Sequence, residues 1–158
     1  MSGSSPEFMR EAIALSERNM TTNEGGPFGA VIVKDGKIVG RGNNQVLATN
    51  DPTAHAEVVA IRDACSNLGT FQLDGCEIYC SCEPCPMCLG AIYWARPDKI
   101  YFANTKKDAA DIGFDDAFIY QEIEREHGDR KIFTRQLLRE EALKAFQMWA
   151  AKEDKTEY

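Results

Sequence analysis

Four of the chain's six cysteines fall within nine residues, in the run Cys80-Ser81-Cys82-Glu83-Pro84-Cys85-Pro86-Met87-Cys88. In a small secreted scaffold such density would mean disulfides. This chain is long enough for a real apolar core, and 44% of its residues are hydrophobic, so metal binding or catalysis is the better reading. Thirty positions before Cys85 stands His55-Ala56-Glu57, which offers an imidazole and a carboxylate to the same chemistry.

The 158 residues suffice for one domain and are too few for two ordinary ones. Residues 1–8, small and polar, read as an expression leader, and residues 9–158 as a single domain. No apolar run approaches the roughly 18 residues of a membrane span, and the leader lacks a secretory apolar segment, so a soluble cytoplasmic protein is expected. The net charge is −7, or −6 once Glu7 is set aside with the leader, and no block of five basic residues occurs. That argues against nucleic acid as a partner, because phosphate neutralisation needs cations.

Periodicity predicts a helix over 9–20, ended by Gly25-Gly26-Pro27, and a β-hairpin of 28–33 with 37–42 around Asp35-Gly36. An alanine-rich helix follows over 54–68, with Asp51 or Thr53 as its cap and Gly69 as its stop. A strand over 77–81, a helix over 86–95 and a strand over 99–103 form a β-α-β unit, which implies a partly parallel, helix-covered sheet. Residues 104–130 show no clear single element. A last strand near 131–136 and a helix over 138–152 precede the charged tail 153–158.

His55, Cys85 and Cys88 are candidate zinc ligands, because one imidazole and two thiolates leave a tetrahedral ion with an open position for water or hydroxide. Cys85 and Cys88 sit where a strand turns into a helix, with Pro86 suited to the first helical position, so main-chain N–H groups and the helix dipole favour thiolates. His55 and Glu57, two apart, would diverge on an ideal helix and must therefore share an irregular first turn. Glu57 is then the candidate proton carrier. A zinc ribbon using Cys80, Cys82, Cys85 and Cys88 is a weaker alternative, since ribbons pair two separated C-x-x-C knuckles. Cys65 and Cys76 read as small core residues.

Together His55-Ala56-Glu57 and Pro84-Cys85-Pro86-Met87-Cys88 match the H-x-E … P-C-x-x-C signature, and at these residues the chain resembles the cytidine deaminase-like superfamily of zinc nucleobase deaminases. The flanking blocks GGPFGAVIVKDG, NDPTAHAEVVAIR, SCEPCPMCLGAIYWARP, GFDDAFIY and the terminal Glu157-Tyr158 are similar to its purine branch, the bacterial guanine deaminases. The resemblance implies a three-layer αβα sandwich around a five-stranded mixed sheet, one zinc ion per chain, and a homodimer. It further implies that Phe28 stacks on a purine, Asn44 and the Ala56 N–H hydrogen-bond to it, Trp94 walls the pocket, Asp116 assists proton delivery and Tyr158 closes the site. It leaves open whether the tail acts on its own chain or in trans.

Read from the residues alone, Phe28 and Trp94 are equally acceptable as core, Asn44 as a strand end, Asp115 and Asp116 as a solvated turn, and Tyr158 as a frayed terminus. The resemblance implies a cyclic-amidine hydrolase that deaminates guanine to xanthine. A guanosine deaminase is its nearest rival. A tRNA adenosine deaminase and a non-catalytic zinc scaffold are the remaining alternatives.

Overall fold

In a computed structural model of the chain, which describes residues 3–158, the sheet grows from one strand that is apolar on both faces. That strand, β1 (Gly29–Lys34, GAVIVK), is buried at its first five positions, as expected where helices cover both sides of a sheet. Asp35 and Gly36, both at positive φ, turn it into β2 (Lys37–Asn43), so the Asp-Gly signal gives the hairpin it predicts. β3 (Cys76–Cys82) pairs antiparallel with the other edge of β1, and β4 (Lys99–Asn104) runs parallel to β3. The sheet is mixed and has four strands in the order β2-β1-β3-β4.

The two faces of β1 feed two apolar layers. Val31, Val33 and Tyr79 pack with Phe8, Met9 and Leu15 of α1 (Pro6–Thr22). Ala30, Ile32, Ile78 and Cys80 pack with Ala56, Ala60 and Ala64 of α3 (Ala56–Leu68) and with Ile92 and Ala95 of α4 (Pro86–Ala95). Helix, sheet and helices thus form the αβα sandwich in this first unit, which ends at Asp116. It also holds the short helices α2 (Val46–Thr49) and α5 (Lys106–Asp111).

The second unit, Ala117–Tyr158, consists of α6 (Ala117–Glu124), a 3-10 turn at His127–Asp129 and α7 (Arg139–Ala151). Arg130 fastens its first half by donating to the carbonyls of Glu122 and Ile123. No residue of α7 is buried, and Phe146, Met148 and Trp149 are all exposed.

Three expectations need correction. The first helix begins at Pro6 rather than residue 9, with Phe8 set against Tyr79 at 5.6 Å between ring centroids; Met1 and Ser2 of the expected leader lie outside the described residues. Among the described residues the sheet has four strands, not the five expected. Residues 131–136 are not a strand, and Ile132 and Phe133 are more than four-fifths exposed: apolar β-formers make a strand only where another strand accepts their main-chain groups. The α3 cap is neither Asp51 nor Thr53. Asp51 instead accepts from the Thr53 N–H and hydroxyl, which closes a turn upstream of the helix, and His55 occupies the cap position. Among the described residues no helix is long and apolar enough to cross a membrane.

Candidate metal centre and active site

The loop before α3 and the loop before α4 bring His55, Cys85 and Cys88 together. His55 has extended backbone angles, φ −69° and ψ 156°, and α3 starts at Ala56. This frees the imidazole from the helical direction of Glu57, so both side chains serve one pocket. Cys85 caps α4 in the same way, with Pro86 at the first helical position and the Cys88 N–H donating to its sulfur at 3.5 Å.

The donor atoms of the three residues lie within 4.8 Å of one another. His55 Nδ1 is 3.5 Å from Cys85 Sγ and 3.5 Å from Cys88 Sγ. Zinc bonds of about 2.1 Å to nitrogen and 2.3 Å to sulfur at a tetrahedral angle would separate those atoms by about 3.6 Å. The site therefore fits zinc without rearrangement. Among the described residues this is the one set of three or more such side chains that could hold a metal, and it excludes Cys80 and Cys82, which overturns the four-cysteine ribbon.

Protonation within the trio is divided unequally. A hydrogen bond from Cys88 pulls the Cys85 thiol down to about 4, and the same bond, with burial, pushes Cys88 up. The hydrogen bond to Cys85 also raises His55, although burial opposes it. A divalent cation bound here competes with protons for both sulfurs and the imidazole. Cys80 and Cys82 are held as neutral thiols by burial, Cys82 up at about 11. All six cysteines are free, and Cys65 and Cys76, half-buried and buried, pack with the core as expected.

Glu57 is only 5% exposed. Burial lifts its carboxyl above the usual carboxylate range, while a hydrogen bond from Cys88 pulls the other way. Asp116 is half-buried where Asp115 is exposed, and its carboxyl is raised first by burial and then by the negative charge of Cys85.

The remaining candidates of the first unit divide. Phe28 is half-buried and meets Phe114 edge-on at 5.0 Å. Asn44 is buried; its Oδ1 accepts from the Val46 N–H, which leaves its NH2 as the available donor. Ala56 is the first residue of α3, so its N–H has no acceptor within the helix. Trp94 is 63% exposed on α4, with the Arg96 guanidinium 5.8 Å from its ring centroid, and is therefore not a core residue. Tyr158, exposed, belongs to the second unit.

One group escaped the sequence reading. Asn19, Asn43 and Asn44 are all buried, and Asn19 and Asn43 are joined side chain to side chain, with Glu24 and Gln45 also bonded to Asn43. The available signal was the spacing Ala12, Ser16, Asn19, which puts Asn19 on the inward face of α1.

The cytidine and deoxycytidylate deaminase zinc-binding region matches residues 3–104. The chain is 54% identical to the guanine deaminase of Bacillus subtilis over 96% of its own length and 97% of that protein's. The crystal structure of a guanine deaminase from Bacillus subtilis superposes with a TM-score of 0.95 at 52% identity, covering 99% of both chains. A tRNA-specific adenosine deaminase of Aquifex aeolicus is 44% identical over 63% of this chain and 66% of its own. That match covers less than two thirds of the chain, whereas the guanine deaminase matches run through both units: the chain belongs to the zinc-binding cytidine and deoxycytidylate deaminase family and, within it, to the guanine deaminases.

Proposed function

We infer that the protein is a zinc-dependent guanine aminohydrolase, converting guanine and water to xanthine and ammonia. The observation that carries this is a three-donor metal site with a buried, unliganded carboxylate beside it, in a chain akin to a guanine deaminase over nearly its whole length. A purely structural metal site has no use for Glu57.

Zinc held by His55, Cys85 and Cys88 supplies Lewis acidity that makes a water molecule a nucleophile near neutral pH. The chain's own residues do the rest. Glu57 accepts a proton from the attacking water and passes it to the ring nitrogen next to the attacked carbon, then takes the second proton from the hydroxyl now on that carbon and delivers it to the amine as the carbon–oxygen double bond forms and the carbon–nitrogen bond breaks. Its raised carboxyl suits both directions of transfer. Phe28 stacks on the purine, the Asn44 NH2 donates to it, and the Ala56 N–H meets a ring oxygen or developing negative charge. Asp116, rather than the exposed Asp115, assists proton delivery at the leaving amine.

We read both units as one functional domain that works as a homodimer. The apolar side chains Phe146, Met148 and Trp149, which α7 leaves exposed, favour burial against a second copy. In that assembly the partner's Tyr158 closes the pocket beside Trp94. Six free thiols suit a reducing compartment and support a cytoplasmic enzyme.

A pocket closed in this way has no room for ribose, so guanine is favoured over guanosine. The net charge of −7 disfavours tRNA. Ammonia release from guanine and guanosine, measured side by side, tests the reading. Faster release from guanosine would overturn it, and tight tRNA binding at low salt would restore the tRNA deaminases.

A further inference from the structure

A buried polar cluster ties together the two segments that carry Phe28 and Asn44. Asn19, 1% exposed near the end of α1, donates from Nδ2 to the carbonyl of Gly26 at 2.9 Å and to that of Asn44 at 2.8 Å. Both donors of the NH2 are thereby used on groups that can only accept, which fixes the direction of the amide. Its Oδ1 accepts from Asn43 Nδ2 at 2.6 Å, and the same Nδ2 donates to Glu24. Glu24 in turn accepts through its carbonyl from the N–H groups of Leu47 and Ala48.

The geometry forces the two segments close. A Cβ on Gly25 would lie 2.1 Å from Asn44 Oδ1 and 2.6 Å from the Asn44 carbonyl oxygen, so only glycine lets the turn pass. The Asn44 N–H donates to the Phe28 carbonyl, and the Gln45 N–H donates to that of Ala54, next to the metal-ligating His55. The Asn19 side chain is thus bonded to both the turn before Phe28 and the main chain of Asn44.

We propose that Asn19 is a positioning residue for the purine, holding the Gly26–Phe28 turn and the Asn44 carboxamide in register so that stacking and hydrogen bonding are available together. This rests on the reading above, in which Phe28 and Asn44 contact guanine. Asn19 acts through both Phe28 and Asn44, so removing the Asn44 side chain removes part of its effect.

The test is a double-mutant cycle of Asn19→Ala and Asn44→Ala in the zinc-loaded enzyme. It is read as kcat/KM for ammonia release, and as the guanine Kd by calorimetry in a Glu57→Gln background that does not turn over. Asn19→Ala should keep one zinc per chain and lose roughly tenfold in kcat/KM and in affinity, with the double variant losing clearly less than the product of the two single losses. Multiplying losses, or unchanged kinetics with only a lower Tm, would overturn the proposal and make Asn19 a plain fold residue. If Asn19→Ala does not fold, Asn43→Ser, which removes the donor that orients the Asn19 amide, takes its place. An enzyme that binds guanine without releasing ammonia would defeat the deaminase reading while the Kd cycle still decided the role of Asn19; no guanine binding at all would overturn both.

Discussion

Gly42 on β2 faces the Ala56 carbonyl on α3 so closely that a Cβ at Gly42 would lie 2.2 Å from that oxygen. A Cβ at Gly40, two residues back on the same strand, would lie 2.7 Å from both the Ala60 carbonyl oxygen and Ala64 Cβ. Glycines on the strand and alanines at four-residue spacing on the helix therefore bring main chain against main chain. Since α3 begins at Ala56, between His55 and Glu57, this contact sets the height of both functional side chains above the sheet.

Gly42→Ala should push the start of α3 away from β2. Overpacking of this kind costs on the order of 1–3 kcal/mol, and here the blocking atoms are main chain that cannot rotate aside. The expected result is a lowered Tm with zinc content well below one per chain, measured by thermal melting and metal analysis of the same preparation. Full zinc occupancy with wild-type stability would show that the helix can shift at no cost to the site.

Glu57→Gln separates metal binding from proton transfer. The side chain keeps its size in a site that is 5% exposed but can no longer take up and return a proton. About one zinc per chain should remain, while kcat falls by roughly two to four orders of magnitude, the range of general acid–base contributions. Unchanged turnover would mean that another group carries the proton.

Much of this was legible in the residues because the chemistry is local. Cys85 and Cys88 share one turn, Pro86 marks where that turn begins, and Asp35-Gly36 gives the hairpin that centres the sheet. The cap of α3 was misread because Asp51-Pro52-Thr53 carries ordinary capping residues, yet Asp51 spends its oxygen on Thr53 and leaves His55 at the helix start. The strand expected at 131–136 failed for a different reason: Ile132 and Phe133 have the right preferences, but pairing belongs to the partner strand as much as to the sequence. Asn44 is legible as a candidate, but the cluster around it is not, because Asn19 reaches Asn43 and the Asn44 main chain from a helix far back in the sequence.

Metal uptake should release protons, and the number should depend on pH. Without metal, Cys85 is already a thiolate with its thiol down at about 4, whereas Cys88 keeps its proton and His55 is raised by its bond to Cys85. Zinc needs both sulfurs deprotonated and a neutral imidazole, so its affinity falls as pH falls. Calorimetry in buffers of different ionisation heats should find about two protons released in mildly acidic solution, where the metal-bound water is still neutral, one from Cys88 and one from His55. Release of only about one proton there would show that His55 is already neutral. Removing the metal with a chelator should lower Tm and abolish ammonia release, and added zinc should restore both.

The tail gives the sharpest test of the dimer proposed above. Ordinary chain ends are mobile and dispensable, and Tyr158 is exposed in the single chain. If it closes the pocket of a second copy, it excludes water and holds the base while chemistry proceeds. Deleting Glu157 and Tyr158 should then leave folding and zinc content intact but lower kcat/KM on guanine by at least roughly tenfold, about 1.4 kcal/mol of transition-state stabilisation. Mixing the truncated chain with full-length Glu57→Gln distinguishes closure within one chain from closure between two. A mixed dimer joins one intact metal site to one intact tail only if the tails are exchanged, so partial recovery of activity means closure in trans. No recovery from two chains shown to mix would place the tail on its own site, and wild-type activity in the simple truncation would make Tyr158 the frayed end its position suggests.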